Sequence, residues 1–376
     1  MQSATYLDYN ATSPLRPAVA AAISDAMSLV GNPSSVHRFG RAARARIEVA
    51  RDQVAALVGA HPSQLVFTSG GTEANNLALA GCPPASQLVS AIEHDSVLRA
   101  APRAVRVPVT PDGLVDLQAL AELLRSAPGP ALVSVMLANN ETGVVQPVAE
   151  AAALAHRAGA LVHCDAVQAA GKMIVDFAEL GVDMMTLSAH KLGGPQGCGA
   201  LIVADQVPLQ VQQRGGGQER GRRAGTENVA AIVGFGVAAE LAGRELSRMA
   251  EIARLRDRLE RDAKRSVPAA VVFGAGSARL PNTSCLGLPG MPAETQVMAL
   301  DLDGVAVSAG SACSSGKVRP SHVLAAMGVG AELAASAIRV SLGWRTTVAD
   351  VEAFLSSWRK LAARRGLLSA EFEPAA

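Results

Sequence analysis

"MMTLSAHKLGG", residues 184–194, is an apolar run that stops at a serine, a histidine and a lysine, with a glycine turn behind them. The run has the length of a buried strand, and Lys191 falls just past its end. A lysine desolvated there has a lowered pKa and can form a Schiff base with a carbonyl compound; the alternative is a solvated surface amine. The rest of the lysine inventory favours the first reading. Basic charge is carried almost wholly by arginine, and the other lysines are Lys172, Lys264, Lys317 and Lys360. Lys264 and Lys360 fall on charged helical faces, Lys317 in a loop, and Lys172 follows a glycine outside any strand.

Outward from this run the same grammar repeats. "QLVFTS" (64–69), "QLVSA" (87–91), "ALVSVMLA" (131–138), "ALVHCDA" (160–166) and "ALIVA" (200–204) read as further buried strands. Helix-like stretches lie near 41–58, 72–80, 116–125, 148–158 and 228–265. Such alternation predicts an α/β fold, with a mostly parallel sheet covered by helices on both faces. Ligands of such sheets sit beyond the carboxyl ends of the strands, so the residue after each strand is the one to inspect. The segment 228–265 starts apolar and turns charged, which predicts that it leaves the core. Strand runs at 269–273, 283–288, 305–309 and 337–342 and helices near 293–301, 321–327 and 348–364 predict a second, smaller domain.

Composition bounds the rest. A chain of 376 residues with net charge +1 gives no reason to expect nucleic acid or an anionic membrane as a partner. Its five cysteines (Cys82, Cys164, Cys198, Cys285 and Cys313) are odd in number and show no metal-pair spacing, so neither a disulfide framework nor a metal site is expected. "MQSATYLDYNATSP" lacks a basic segment followed by an apolar one, so no secretory signal is expected, and a reducing cytoplasm is the natural setting.

Four strand ends carry polar clusters. "TSGGTEANN" (68–76) opens a helix whose free N–H groups suit a phosphate, although Thr72 could equally be an ordinary N-cap. "NNETG" (139–143) could read a polar ligand or satisfy a turn. Asp165 in "DAVQ" (165–168) needs a partner at the end of an apolar strand, and either a cationic ring nitrogen or a helix cap would serve. With Lys191 these supply a phosphate turn, a carboxylate for a ring nitrogen and a Schiff-base lysine, the set that a pyridoxal phosphate (PLP) site requires.

At this point the motifs resemble a known family. "YLDYNATSP" (6–14), "GNPSSVHRFG" (31–40), "FTSGGTEANN" (67–76), "EHDSV" (93–97), "NNETG" (139–143), "DAVQAAGK" (165–172), "SAHKLGGPQGCGAL" (188–201), "GGGQERGRRAGTEN" (215–228) and "SAGSACSSG" (308–316) occur in order, as in cysteine desulfurases of the NifS/IscS type. These are class V, fold-type I PLP enzymes. The resemblance implies a large PLP-binding domain over 14–255 and a small α+β domain from 1–13 and 256–376 that carries a catalytic cysteine loop. It implies that Lys191 holds PLP, Asp165 pairs with the pyridine nitrogen, Gln168 bonds the ring oxygen, and His94 stacks on the ring and moves protons. Gly71, Thr72, Ser188 and His190 would hold the phosphate, joined by Thr226 from the partner subunit of a homodimer. Asn140, also counted among the cofactor contacts, would hold substrate with Asn32 and Arg339, the last through a bidentate pair with an amino-acid carboxylate.

The same resemblance gives Cys313 its role. It lies in "VSAGSACSSGKVRP" (307–320), a Ser- and Gly-rich stretch that is an odd place for a residue usually found buried. As a thiolate it would take sulfur from L-cysteine, leaving alanine and an enzyme persulfide for iron–sulfur assembly or thiolation. The Gly-Ser-Ala-Cys form (310–313) favours the long-loop group and leaves the acceptor protein unnamed, and the chain's end soon after its last helix leaves docking of that partner open. Trp344 in "SLGWRTT" (341–347) departs from the common pattern and is expected at the pocket rim. A selenocysteine lyase or aminotransferase of the same class and a non-catalytic sulfur carrier or scaffold are the competing readings; an aminotransferase has no need of Cys313.

Overall fold

The computed structural model describes residues 4–82, 86–310 and 320–372. Cys313, Lys317 and the rest of the stretch 311–319 lie outside the described residues.

The apolar runs do form one sheet. Seven strands lie in the order Leu65–Thr68, Gly199–Val203, Met184–Ser188, Leu161–Asp165, Ala131–Ser134, Ser86–Ser90 and Val105–Val107. Gly199–Val203 runs antiparallel to both its neighbours, and every other pairing is parallel. The strands Leu65–Thr68, Ala131–Ser134, Met184–Ser188 and Gly199–Val203 are buried along their whole length, as a sheet covered on both faces requires. The one strand of this sheet with no counterpart among the apolar runs, Val105–Val107, forms one of its two edges. It has three residues, only one of them buried, and so lacks the pattern that marks the others.

Helix Arg38–Leu57 buries Gly40, Ala43, Ile47, Ala50, Arg51 and Val54, a three-and-four spacing that lines one helical face. That face meets helix Val229–Arg244, where Gly236 permits the approach. A Cβ at Gly236 would stand 2.6 Å from Ala50 Cα, so any larger residue there would force the helices apart. The segment 228–265 is not one helix. It breaks at a short 3-10 turn, Leu246–Arg248, into Val229–Arg244 and Met249–Ser266. The first half packs on the main core, and the second lays Ile252, Leu255, Leu259 and Ala263 on a different cluster, so the chain must change direction between them. Glu245, at the break, pairs with Arg16.

The second cluster gathers Leu7 with residues from 252 to 362, around the fully buried and stacked Phe354 and Trp358. A four-stranded antiparallel sheet accompanies it, in the order Ser308–Ala309, Ala337–Ser341, Thr283–Gly287 and Val271–Val272. The N-terminal segment joins this part of the molecule: Thr5–Tyr6 pairs in parallel with Val305–Ala306. Among the described residues no helix is long and apolar enough to cross a membrane.

Candidate active site

The loops that leave the carboxyl edge of the main sheet converge on a cavity of about 290 Å³. Gly71, Thr72, His94, Asn140, Asp165, Gln168, Ser188, His190, Lys191 and Arg339 all line it. Asn10 and Ala11 from the N-terminal segment close one side, and Met136 and Ala138 give it an apolar wall.

One end is built for an anion. The strand Leu65–Thr68 turns through Gly70, at φ 156°, into helix Gly71–Gly81, and no side chain caps that helix start. Its first-turn N–H groups and positive dipole end favour a negative ligand. Gly71 is bare for a reason: a Cβ there would stand 3.1 Å from Val167 Cγ2 and 3.6 Å from Ser188 Cβ, so glycine lets the turn seat against the strand ends. Ser188 and His190 enter from the end of strand Met184–Ser188, two places along the sheet. Burial, then the charges of Lys191 and Lys172, push the His190 imidazole down to about 4, so it stands there neutral. Its Nδ1 lies 3.2 Å from Thr12 Oγ1.

The other end holds a carboxylate. Asp165 is 6% exposed; its Oδ1 accepts from Val167 N–H at 3.0 Å and its Oδ2 from Asn75 Nδ2 at 2.8 Å. Asn75 Nδ2 also donates to Ser96 Oγ at 2.8 Å, and Ser96 Oγ lies 2.7 Å from His94 Nδ1. The Ser96 backbone N–H donates to that nitrogen as well, at 3.1 Å, so the proton of a neutral His94 ring sits on Nε2. A continuous chain therefore ties the orientation of His94 to Asp165. Glu93 is fully buried behind it. Burial, then the nearby Asp165, raise its carboxyl well above the usual range, which holds it neutral. Two residues before Asp165, His163 bridges Ser134 Oγ at 2.9 Å and Thr186 Oγ1 at 3.0 Å, and burial pushes it down to about 4.

Lys191 lies between the two ends. Its Nζ donates to the carbonyl oxygens of Asn10 at 2.6 Å and Ala11 at 2.8 Å. Gln168 donates from Nε2 to Asn10 O at 3.0 Å. Lys172 follows Gly171 outside any strand, a position with no signal of a role, yet it is buried in this cluster. Its Nζ donates to Gln168 Oε1 at 2.8 Å and Asn10 Oδ1 at 3.0 Å. Arg339 reaches the cavity from the small sheet, where it is 2% exposed and donates to Asp8 Oδ1 at 2.8 Å and Asn140 O at 3.1 Å.

Some expected residues lie elsewhere. Asn32 and Thr226 are exposed and do not line this cavity. Asn32 Oδ1 accepts from Ser34 N–H at 2.9 Å. Trp344 is not at the rim. It lines a separate small cavity behind Lys191 and Lys172, with Arg16 stacked 5.1 Å over its ring. Asn10, Asn75 and Ser96 belong to the site without having been singled out by the sequence. Ser96 had one local signal, its place two residues after His94, where a backbone N–H can bond back to the preceding side chain.

Taken together, the anion-binding helix start, the amine and the carboxylate would hold a flat cationic ring with an aldehyde at one position and a phosphate at its edge. The family model for class-V aminotransferases matches residues 5–354. A cysteine desulfurase of Cereibacter sphaeroides is 46% identical over 93% of this chain and 93% of its own length. The cysteine desulfurase IscS of Dictyoglomus turgidum is 41% identical over 93% and 92%. Among solved structures, a NifS-like protein from Rickettsia africae superposes with a TM-score of 0.89 at 38% identity, covering 96% of this chain and 99% of that one. SspA in complex with cysteine superposes with a TM-score of 0.78 at 30% identity, over 90% and 98%.

Proposed function

The chain belongs to the class-V aminotransferase family and, within it, to the NifS/IscS-type cysteine desulfurases, and from that premise we propose how its own residues release sulfur from L-cysteine. The observation that carries the reading is the convergence of Lys191, Asp165 and the uncapped start of helix Gly71–Gly81 on one cavity.

Pyridoxal phosphate, the cofactor of this family, supplies an aldehyde that condenses with amines and a ring that draws electrons from the bonded carbon. The residues present fit it. Gly71 and Thr72 N–H groups, the Thr72 and Ser188 hydroxyls and the neutral His190 ring would hold the phosphate. Asp165 would accept from the ring N–H and keep that proton in place, braced by Asn75. Gln168 Nε2 would donate to the ring oxygen. His94, fixed in its Nε2–H form, would cover the ring and hold or move a proton at Nε2. Lys191 Nζ would serve as the attachment point and, once displaced by substrate, move protons at the substrate carbon, with the Asn10 and Ala11 carbonyls fixing its position. Arg339, with Asn140 beside it, would bind the substrate carboxylate. Met136 and Ala138 exclude water from one wall.

Cys313 is assigned the nucleophile's role on the family resemblance. Its thiolate would attack the substrate sulfur; the C–S bond would break with its electron pair left on the substrate carbon, that carbon would take up a proton so that alanine leaves, and the sulfur would stay as a persulfide on Cys313 for transfer to an acceptor protein in iron–sulfur assembly or thiolation. Thr226, exposed in one chain, would act from the partner subunit of a homodimer, and Asn32 would help to hold substrate. The same reading divides the chain into 14–255 and a smaller unit of 1–13 and 256–376; the gathering of Leu7 with residues from 252 to 362 in one hydrophobic cluster supports a smaller unit that includes the N-terminal segment. A cytoplasmic setting is supported by the free thiols of Cys82, Cys164, Cys198 and Cys285.

The test is Cys313→Ser. The wild type, loaded with pyridoxal phosphate, should release sulfide and alanine from L-cysteine in the presence of a thiol. The variant should lose sulfide release while keeping the visible absorption of the bound cofactor. Full sulfide release by the variant would remove Cys313 from the reaction, and a wild type that never acquires the absorption would overturn the cofactor reading.

A further inference from the structure

The Lys172 amine is buried, and its hydrogen bonds among the described residues go to neutral amides, Gln168 Oε1 at 2.8 Å and Asn10 Oδ1 at 3.0 Å. The carboxylates of the surrounding site are already engaged: Asp8 by Arg339 and Asp165 by Asn75. A buried amine without a carboxylate is costly, so its place here calls for a reason. We infer that Lys172 is a positioning residue of the cofactor site, which locks the Gln168 carboxamide so that it presents an N–H to the cofactor's ring oxygen.

The argument is one of donor and acceptor. A glutamine side chain can turn over and exchange its oxygen for its nitrogen. Lys172 Nζ, charged or neutral, donates at Gln168 Oε1, so that end of the amide faces away from the cavity. Nε2 then gives one hydrogen to Asn10 O at 3.0 Å and keeps the other for the cavity that Gln168 lines. Asn10 is held from both sides. Its Oδ1 also accepts from Asn282 Nδ2 at 3.0 Å, and its Nδ2 donates to Thr283 Oγ1 at 2.8 Å. The Asn10 carbonyl that takes Gln168 also takes Lys191 Nζ, so Lys172 steadies the lysine's seat as well.

The groups facing Lys172 are Lys191, Arg339 and His190 on the cavity side and Arg16 and Tyr9 across the small cavity behind it. Burial, then the charges of Lys191 and Arg339, hold its amine well below the usual lysine range. Both a fixed donor at the ring oxygen and any positive charge near it favour loss of the proton that the cofactor's ring oxygen shares with its nitrogen partner. Removing Lys172 therefore moves that proton's equilibrium in a single direction, upward in pH.

This inference rests on the cofactor reading above. In the holoenzyme, Lys172→Met should raise the midpoint of the cofactor's visible absorption change by about one pH unit, a tenfold change in the protonation equilibrium. In a Gln168→Ala background the further effect of Lys172→Met should largely vanish, because the lysine acts through the glutamine. An unmoved midpoint, or a full effect that survives without Gln168, would overturn the inference. Should Lys172→Met fail to fold by far-UV circular dichroism, Gln168→Glu leaves Lys172 in place and turns an acceptor toward the ring oxygen. It too must raise the midpoint, and an unchanged value would overturn the inference. A wild type with no visible band refutes the cofactor reading and this inference with it, whereas a normal band with an unmoved midpoint refutes this inference alone.

Discussion

Glu141 offers a direct measurement of what burial does beside this site. It lies in the turn 139–143, 3% exposed, and its Oε2 accepts from Ser321 Oγ at 2.5 Å. Burial raises its carboxyl; the Ser321 bond and the nearby Arg339 and His94 oppose that rise, Asp95 adds to it, and burial wins, taking the pKa from 4.5 to about 7. The folded protein thus keeps this proton to a higher pH than the unfolded chain does. Between pH about 4.5 and 7 the folded state binds more protons, so its stability falls as pH rises through that window and levels off above it. A pKa difference of one between the two states is worth about 1.4 kcal/mol, so the full effect is about 3 kcal/mol. Glu141→Gln keeps the shape and cannot ionise. Urea unfolding of both proteins at pH 5, 6, 7 and 8, followed by far-UV circular dichroism, gives the difference in stability at each pH. The variant should gain on the wild type by about 2–3 kcal/mol between pH 5 and 8. A constant difference, or a variant that loses ground as pH rises, would show that Ser321 and Arg339 outweigh burial and would refute the reasoning.

Three further outcomes follow from the same physics. Asn75→Ala frees Asp165 Oδ2 and Ser96 Oγ, so desulfuration should fall about tenfold to a hundredfold, the cost of a charge-assisted bond; steady-state turnover at constant cofactor loading checks it. Arg51 and Glu219 form a pair with side chains 5% and 2% exposed, and Glu219 also holds Phe67 N–H at 2.9 Å. Glu219→Ala should therefore cost about 3–5 kcal/mol in urea unfolding, whereas Asp25→Ala at the exposed Arg46 pair should cost under about 1 kcal/mol. Cys164, Cys198 and Cys285 are buried with thiols raised by desolvation, so alkylation of the native protein followed by peptide mass spectrometry should find them unmodified until denaturant is added.

Much of the site is legible along the chain because of how a parallel sheet is built. Every apolar strand except Gly199–Val203 ends at the same edge, so the polar residue that follows it is delivered to that edge whatever the packing. Asp165 and Ser188 end their strands, Lys191, His94 and Asn140 lie in the segments that follow theirs, and all line the same cavity. Helix positions carry no such signal. Asn75 and Asn76 are adjacent and identical, yet Asn75 is buried against Asp165 while Asn76 is exposed and bonds back to Thr72 O at 2.8 Å. The break at 245–248 is hidden too, since the apolar and charged halves of 228–265 each keep a helical pattern and only their separate cores pull them apart.

The sequence by itself determined the strand and helix alternation, the chemistry available at each strand end and the family to which the motifs point. Those properties are local: they depend on side-chain type and on spacing along one element. Only the tertiary structure decided which polar groups lose their water and what they meet in its place. Lys172 reaches Asn10 across 162 positions, Ser321 reaches Glu141 across 180, and Arg339 reaches Asp8 across 331. A pKa or a fixed tautomer is set by such desolvated contacts, and no spacing along the chain encodes them.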